Sequence, residues 1–173
     1  AVFNYNVHMV SPAPPQQART TLLSDTLYYN TVTSVANVRG PSTIDDGGCH
    51  IYTEFGYMDS NNNNLTLLNR SEMSNNGKKL IGDSIVWNSV DSIGEAFGNI
   101  LYTDILSNNA MTGNYCYYND KLGYTLGTDS ACIMDFSQGA DTLYMHADSI
   151  KMFTFNVNTD SAYRTMHAYN HVR

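Results

Sequence analysis

Four short runs of aromatic or branched residues close on Asn or Asp at an almost fixed interval. Tyr28, Tyr29 and Asn30 are matched by Tyr57, Met58 and Asp59, by Val86, Trp87 and Asn88, and by Tyr117, Tyr118 and Asn119, so the closing residues lie 29, 29 and 31 positions apart. A second marker keeps step: Gly40, Arg70, Asn99 and Thr128, each after a strand-like run, are spaced by 30, 29 and 29. A period near thirty with two strand-like runs in it predicts stacked β-units. One such unit cannot bury its own apolar face, whereas four or five in contact can. Residues 79–104 show the unit most plainly, with a branched and aromatic run ending at Asn88, a turn rich in Asp and Ser, and a second run opening on Gly94 and Ala96.

Composition agrees with strands. Charged residues make up only 14% of the 173, while Tyr, Asn, Thr and Ser are abundant, a mixture that suits strands and turns and suits helices poorly. At 42% hydrophobic the chain is long enough for a single domain, 1–173, with a continuous core. A net charge of −7, with only 9 Lys and Arg, argues against nucleic acid and anionic membrane surfaces as partners, since both need a basic stripe. No apolar run approaches the roughly 18 residues of a spanning helix. The opening Ala1, Val2, Phe3, Asn4, Tyr5 begins in mid-pattern, resembling Ala96 to Ile100, and His171, Val172, Arg173 stops within a strand-like run, so the chain reads as a fragment of a longer protein.

Taken in order, strands are expected at 2–10, at 20–23 and 26–29 around a break at Ser24 and Asp25, and at 34–39. Three prolines make 11–17 an extended loop, Gly40 and Pro41 a turn, and 45–48 a tight turn. Over 49–58 the alternation puts Ile51, Thr53, Phe55 and Tyr57 on one side and His50, Tyr52 and Glu54 on the other. Further strands are expected at 65–69, 79–88, 94–104, 111–118, 122–135, 141–157 and 161–173, with Asn-rich turns such as 60–64 between them. No amphipathic helix persists beyond a turn or two.

Candidate chemistry is sparse. His146 with Asp148, and His50 with Glu54, each make half of a metal site or an acid/base pair, but neither has a third ligand in reach of the sequence pattern. The recurring Asp-Ser and Asp-Thr pairs at Asp25, Asp83, Asp91, Asp148 and Asp160 fall at repeat-related or turn positions, which favours bonds to turn amides over catalysis. Cys49, Cys116 and Cys132 lack metal spacing and read as small buried hydrophobes, with a Cys116 to Cys132 disulfide as the alternative in an oxidising compartment. No phosphate loop or nucleophile elbow is present.

The recurring units at 25–30, 82–88, 94–100 and 141–149 together resemble the OstA-like (LptA-like, organic solvent tolerance) family, over nearly the whole chain. That resemblance implies an all-β, repetitive open β-jellyroll, or β-taco, of stacked antiparallel strands with an apolar groove between two facing sheets. It implies a non-enzymatic domain with no catalytic residues and no cofactor, located in the periplasm in association with the outer membrane. There it would bridge lipopolysaccharide transport by holding acyl chains in the groove and joining other such domains by edge-strand addition. Phe55, Leu67, Ile85, Trp87 and Phe97 are the expected groove-lining residues, with the head group left in solvent. The alternatives are a closed β-helix that binds or cleaves polysaccharide, and a structural surface repeat.

Overall fold

The computed structural model describes residues 2–10, 20–46, 48–119, 121–137, 139, 141–156, 161 and 163–173. Eleven strands account for most of them: β1 (Val2–Val10), β2 (Thr21–Asn30), β3 (Val35–Asp46), β4 (Cys49–Asp59), β5 (Asn64–Asn75), β6 (Lys78–Asn88), β7 (Ile93–Asp104), β8 (Asn109–Asn119), β9 (Tyr124–Asp135), β10 (Leu143–Phe155) and β11 (Tyr163–Tyr169). They form one antiparallel sheet in sequence order, every strand pairing only with its chain neighbours. Among the described residues β1 and β11 do not meet, so the described sheet has two free edges. This architecture overturns the closed β-helix reading, which needs parallel rungs coiled around an axis.

Every pairing except β10–β11 shifts register near its middle. At those shifts β3, β5, β7 and β9 carry left-handed residues: Gly40 (φ 80°), Asn69 and Arg70 (63° and 59°), Gly98 and Asn99 (72° and 45°), and Asp129 and Ser130 (57° and 67°). A bulge of this kind bends its strand and adds a residue to that side, so the bulged strands keep their inward parity, as at Val38 and Ser42, and their partners switch it, as between Thr53 and Gly56. Repeated from strand to strand, the bends line up into a crease, and the sheet folds over on itself into two leaves. That is why one sheet alone can enclose Leu67, Thr53 and Ala131 completely. Gly40 and Pro41 therefore form no turn but lie inside the 12-residue β3. The same holds for Ser24 and Asp25 in β2 and for Asn69 in β5, where strands expected to stop instead continue.

Hydroxyls tie the crease together in the N-terminal half. Ser24 Oγ lies 2.8 Å from Ser42 Oγ, and Ser42 Oγ lies 2.8 Å from the Gly40 carbonyl; Thr53 Oγ1 lies 2.8 Å from Ser71 Oγ, which reaches the Leu68 carbonyl at 2.9 Å. All four side chains are buried, so each needs its partner. Farther along the crease Gly82, Ile100, Gly113, Ala131 and Ala147 replace the hydroxyls, and the bend closes without side-chain hydrogen-bonding groups.

The closing Asn and Asp residues of the thirty-residue rhythm start the turns at the leaf tips. Asn30 Oδ1 accepts from the amides of Val32 and Thr33, Asp59 Oδ1 from Asn61 and Asn62, Asn88 Oδ1 from Asp91, and Asn119 Oδ1 from Leu122. Each turn ends on a left-handed residue, namely Ser34, Asn63, Ser92 or Gly123. Successive turns also stack, with the Ser60 amide donating to the Ser34 carbonyl and the Ser89 amide to the Asn63 carbonyl.

Candidate functional site

Register places the inner face of each leaf in rows. On the first leaf, Leu22, Ile44, Ile51, Met73, Leu80 and Tyr102 are consecutive cross-strand partners, and the row runs on through Met111 and Ile133. On the second leaf the matching row runs Leu27, Val38, Gly56, Leu67, Ile85 and Ala96, then Cys116, Gly127 and Ile150. Both rows belong to one apolar cluster, so the leaves touch along their middle. Toward the two ends of the stack they part around separate cavities.

The cavity at the β1–β6 end measures about 250 Å³. Met9, Ile51 and Met73 line it from the first leaf, and Met58, Leu65 and Trp87 from the second. Trp87 is half-buried there and stacks on Tyr118 at 6.5 Å between ring centroids. Its cross-strand partner is Gly94, where a Cβ would stand 2.9 Å from the indole ring, so the missing side chain gives the ring room to lie down.

The cavity at the β8–β11 end is larger, about 410 Å³. Met111 and Ile133 face Met152 and Met166 across it, and Asp135, Thr154 and Arg164 supply polar groups. Arg164 on β11 crosses the gap to the first leaf, where its Nη2 donates to Asp104 Oδ2 on β7 at 2.7 Å. Asp104 is 1% exposed. Burial pushes its carboxyl up, but the Arg164 guanidinium and the bonds from Ser107 outweigh that and hold it below the ordinary carboxylate value. The sequence reading missed this pair, since nothing local links residues sixty apart.

Of the five residues expected to line a groove, Leu67 and Ile85 lie in the inner row of the second leaf and Trp87 on the cavity wall. Phe55 and Phe97 are corrections. Phe55 neighbours the inward Gly56 and so points outward, under the Arg39 guanidinium; Phe97 neighbours the inward Ala96, is 39% exposed and packs on Tyr115. The parity of β4 restarts between Thr53 and Gly56, which also turns Tyr57 outward.

The other candidates separate. His146 Nε2 lies 3.3 Å from Cys132 Sγ, while Asp148 pairs with His171 at 2.9 Å, the bulge between Ala147 and Ser149 standing between the two. His50 pairs with Asp45 rather than with Glu54. Asp83 holds Arg70 at 3.2 Å and Asn99 Nδ2 at 2.7 Å across the crease, a structural duty; Asp91 sits in the β6–β7 turn, and Asp160 lies outside the described residues, as does the Pro-rich 11–17. Among the described residues no three His, Cys, Asp or Glu side chains converge as a metal site would require. Cys116 and Cys132 are free thiols. Cys116 faces inward opposite Gly127, and Cys132 faces outward opposite Thr112, so the anticipated disulfide has no geometry to form. Burial pushes the Cys116 thiol up to about 12, which leaves it an inert core group.

No family model matches the chain, and no curated protein matches it in sequence. Its fold is similar to a solved structure described as LptH, the LptA homologous periplasmic component of the conserved lipopolysaccharide transport device from Pseudomonas aeruginosa. The TM-score is 0.57 at 12% identity, and the match covers 91% of this chain and 99% of that one. The likeness is one of fold: an LptA-like, all-β jellyroll of antiparallel strands left open at both edges.

Proposed function

We propose that the chain is a non-enzymatic lipid-conduit domain of a periplasmic lipopolysaccharide-transport bridge, associated with the outer membrane. In this reading acyl chains pass between its two leaves, and its free edges join neighbouring β-jellyroll domains. The observation that carries the proposal is the creased sheet itself, apolar on its inner face from β2 to β10 and not closed by any strand contact between β1 and β11. A sheet hinged at a crease and unsealed at its edges can part its leaves without breaking a ladder bond. Each methylene taken from water into such a slot gains about 0.8 kcal/mol, and the gain relative to a bilayer is near zero. A conduit needs that balance, because lipid must enter and leave without chemistry. The fold likeness to a lipopolysaccharide-transport component supports the same reading.

Trp87 is the chain's sole tryptophan and stands on a cavity wall between the leaves, so its emission reports lipid entry. Titration with lipopolysaccharide below its aggregation range is expected to give a saturable blue shift. The shift should be weakened severalfold by Leu65→Asn, which makes that wall polar. Unchanged emission, together with no lipid carried through size-exclusion chromatography, would leave a structural surface repeat as the better reading.

A further inference from the structure

The cavity at the β8–β11 end holds a donor with nothing to donate to. Arg164 Nη1 is buried and has no hydrogen-bond partner, the one such side-chain nitrogen or oxygen among the described residues. Its sister Nη2 is spent on Asp104. A buried guanidinium N–H left unmade is costly, so an acceptor is expected to reach it when the cavity fills. The rest of the wall narrows the choice of acceptor. Met111, Ile133, Met152 and Met166 make the floor apolar, and 410 Å³ falls in the range of roughly 300–1,000 Å³ usual for small-molecule sites.

Charge decides between a neutral and an anionic acceptor. Asp104 already offsets the guanidinium, Asp135 adds a second carboxylate on the cavity wall, and the chain as a whole carries −7. A further anion would be repelled by Asp135 and would have to compete with Asp104 for the fork. A neutral carbonyl meets neither obstacle.

Resting on the conduit reading, we infer that this end of the trough is a subsite for the linkage of an acyl chain. An ester or amide carbonyl accepts from Arg164 Nη1 while the chain lies on the methionine floor. Asp104 is the positioning residue, since it fixes the guanidinium across the gap between the leaves.

Three chain-matched amphiphiles separate the possibilities: lauroyl monoglyceride with a neutral ester, lauryl glycerol ether without a carbonyl, and laurate with a charge. Calorimetric titration of the full chain below the micellar range is expected to show the ester binding about tenfold tighter than the ether, the scale of one hydrogen bond to a charged donor. Laurate should bind more weakly than the ester. Arg164→Met alone strands a buried carboxylate and can unfold the protein, so the working variant is the pair Asp104→Asn with Arg164→Met. In that pair the ester and ether should bind alike. Equal binding of ester and ether to the wild type, a preference that survives in the double variant, or laurate as the tightest ligand would each overturn the subsite. Trp87 separates the two levels of failure. If its emission still answers lipopolysaccharide, only the subsite falls; if it is silent and none of the three amphiphiles binds, the conduit reading falls with it.

Discussion

Leu67 and Phe97 are both large apolar residues in the middle of strands, yet they do opposite jobs. Leu67 is wholly enclosed between the leaves, and Phe97 lies on the outer face against Tyr115 at 5.3 Å between ring centroids. Leu67→Ala should therefore destabilise the fold by about 2–5 kcal/mol in urea denaturation, as truncations in packed cores do. Phe97→Ala should cost about 1 kcal/mol, the scale of one exposed aromatic pair. Asp104 makes a second case at this scale, because its carboxyl is held below its ordinary value of 3.8. A depressed carboxyl contributes stability that is whole above the unfolded value and is lost as the pH falls through the folded one. The leaf-to-leaf pair with Arg164 should thus survive at neutral pH and fail in acid below about 4. Thermal melts stepped down in pH should show a steeper acid loss in the wild type than in Asp104→Asn, which has no proton to take up at that position. Asp59 and Asp135, lowered by bonds from Asn62 and Ser137, give the background slope common to both proteins.

The strand element of this fold is two half-strands joined by a bulge, and its stability rests on residues that accept left-handed backbone. At Gly40 a Cβ would stand 3.0 Å from Asp25 Oδ2 in addition to the strain of φ 80°. Gly40→Ala should then cost about 1–2 kcal/mol, and Ser130→Gly, which relieves φ 67° at an exposed bulge, should gain up to about 1 kcal/mol. Opposite shifts in urea midpoint would establish the crease as the strained line of the sheet. The same bulges explain what the sequence could and could not reveal. The rhythm at Asn30, Asp59, Asn88 and Asn119 is legible because a side chain that bonds amides two and three residues on is local turn chemistry. The bulges use the same residue types, so Gly40 and Pro41 read as a turn; only the matching bend in the neighbouring strand tells a bent strand from an ended one. Side-chain parity counted through β4 without the bulge puts Phe55 on the wrong face, whereas β7 keeps one parity from Gly94 and Ala96 to Ile100, so plain alternation already turns Phe97 outward. Leu67, Ile85 and Trp87 share the inward parity of one pair of half-strands, where Leu67 faces Ile85 and Leu65 faces Trp87. Arg164 and Asp104 meet only because the sheet folds over, a fact no window of sequence contains.

At the scale of the whole molecule, the two free edges are unlike each other: β1 at one end and β11 at the other. A contact that joins one to the other is heterologous and can repeat without closing, so strand addition would give head-to-tail oligomers that lengthen with concentration. Successive residues of an edge strand aim their amides alternately at the partner strand and at the open side. Thr165 and Met166 are consecutive in β11, so one amide serves the β10 ladder and the other faces outward. Proline at each position in turn separates folding from assembly, since it removes a single donor. One substitution should lower the melting temperature by several degrees. The other should leave it nearly unchanged while abolishing the concentration-dependent rise in sedimentation coefficient. Should both variants assemble as the wild type does, or the wild type stay monomeric at every concentration, β11 is not the joining edge. The apolar trough would then have no continuation into a second copy through that strand, and any bridge would have to extend through β1 to a different domain.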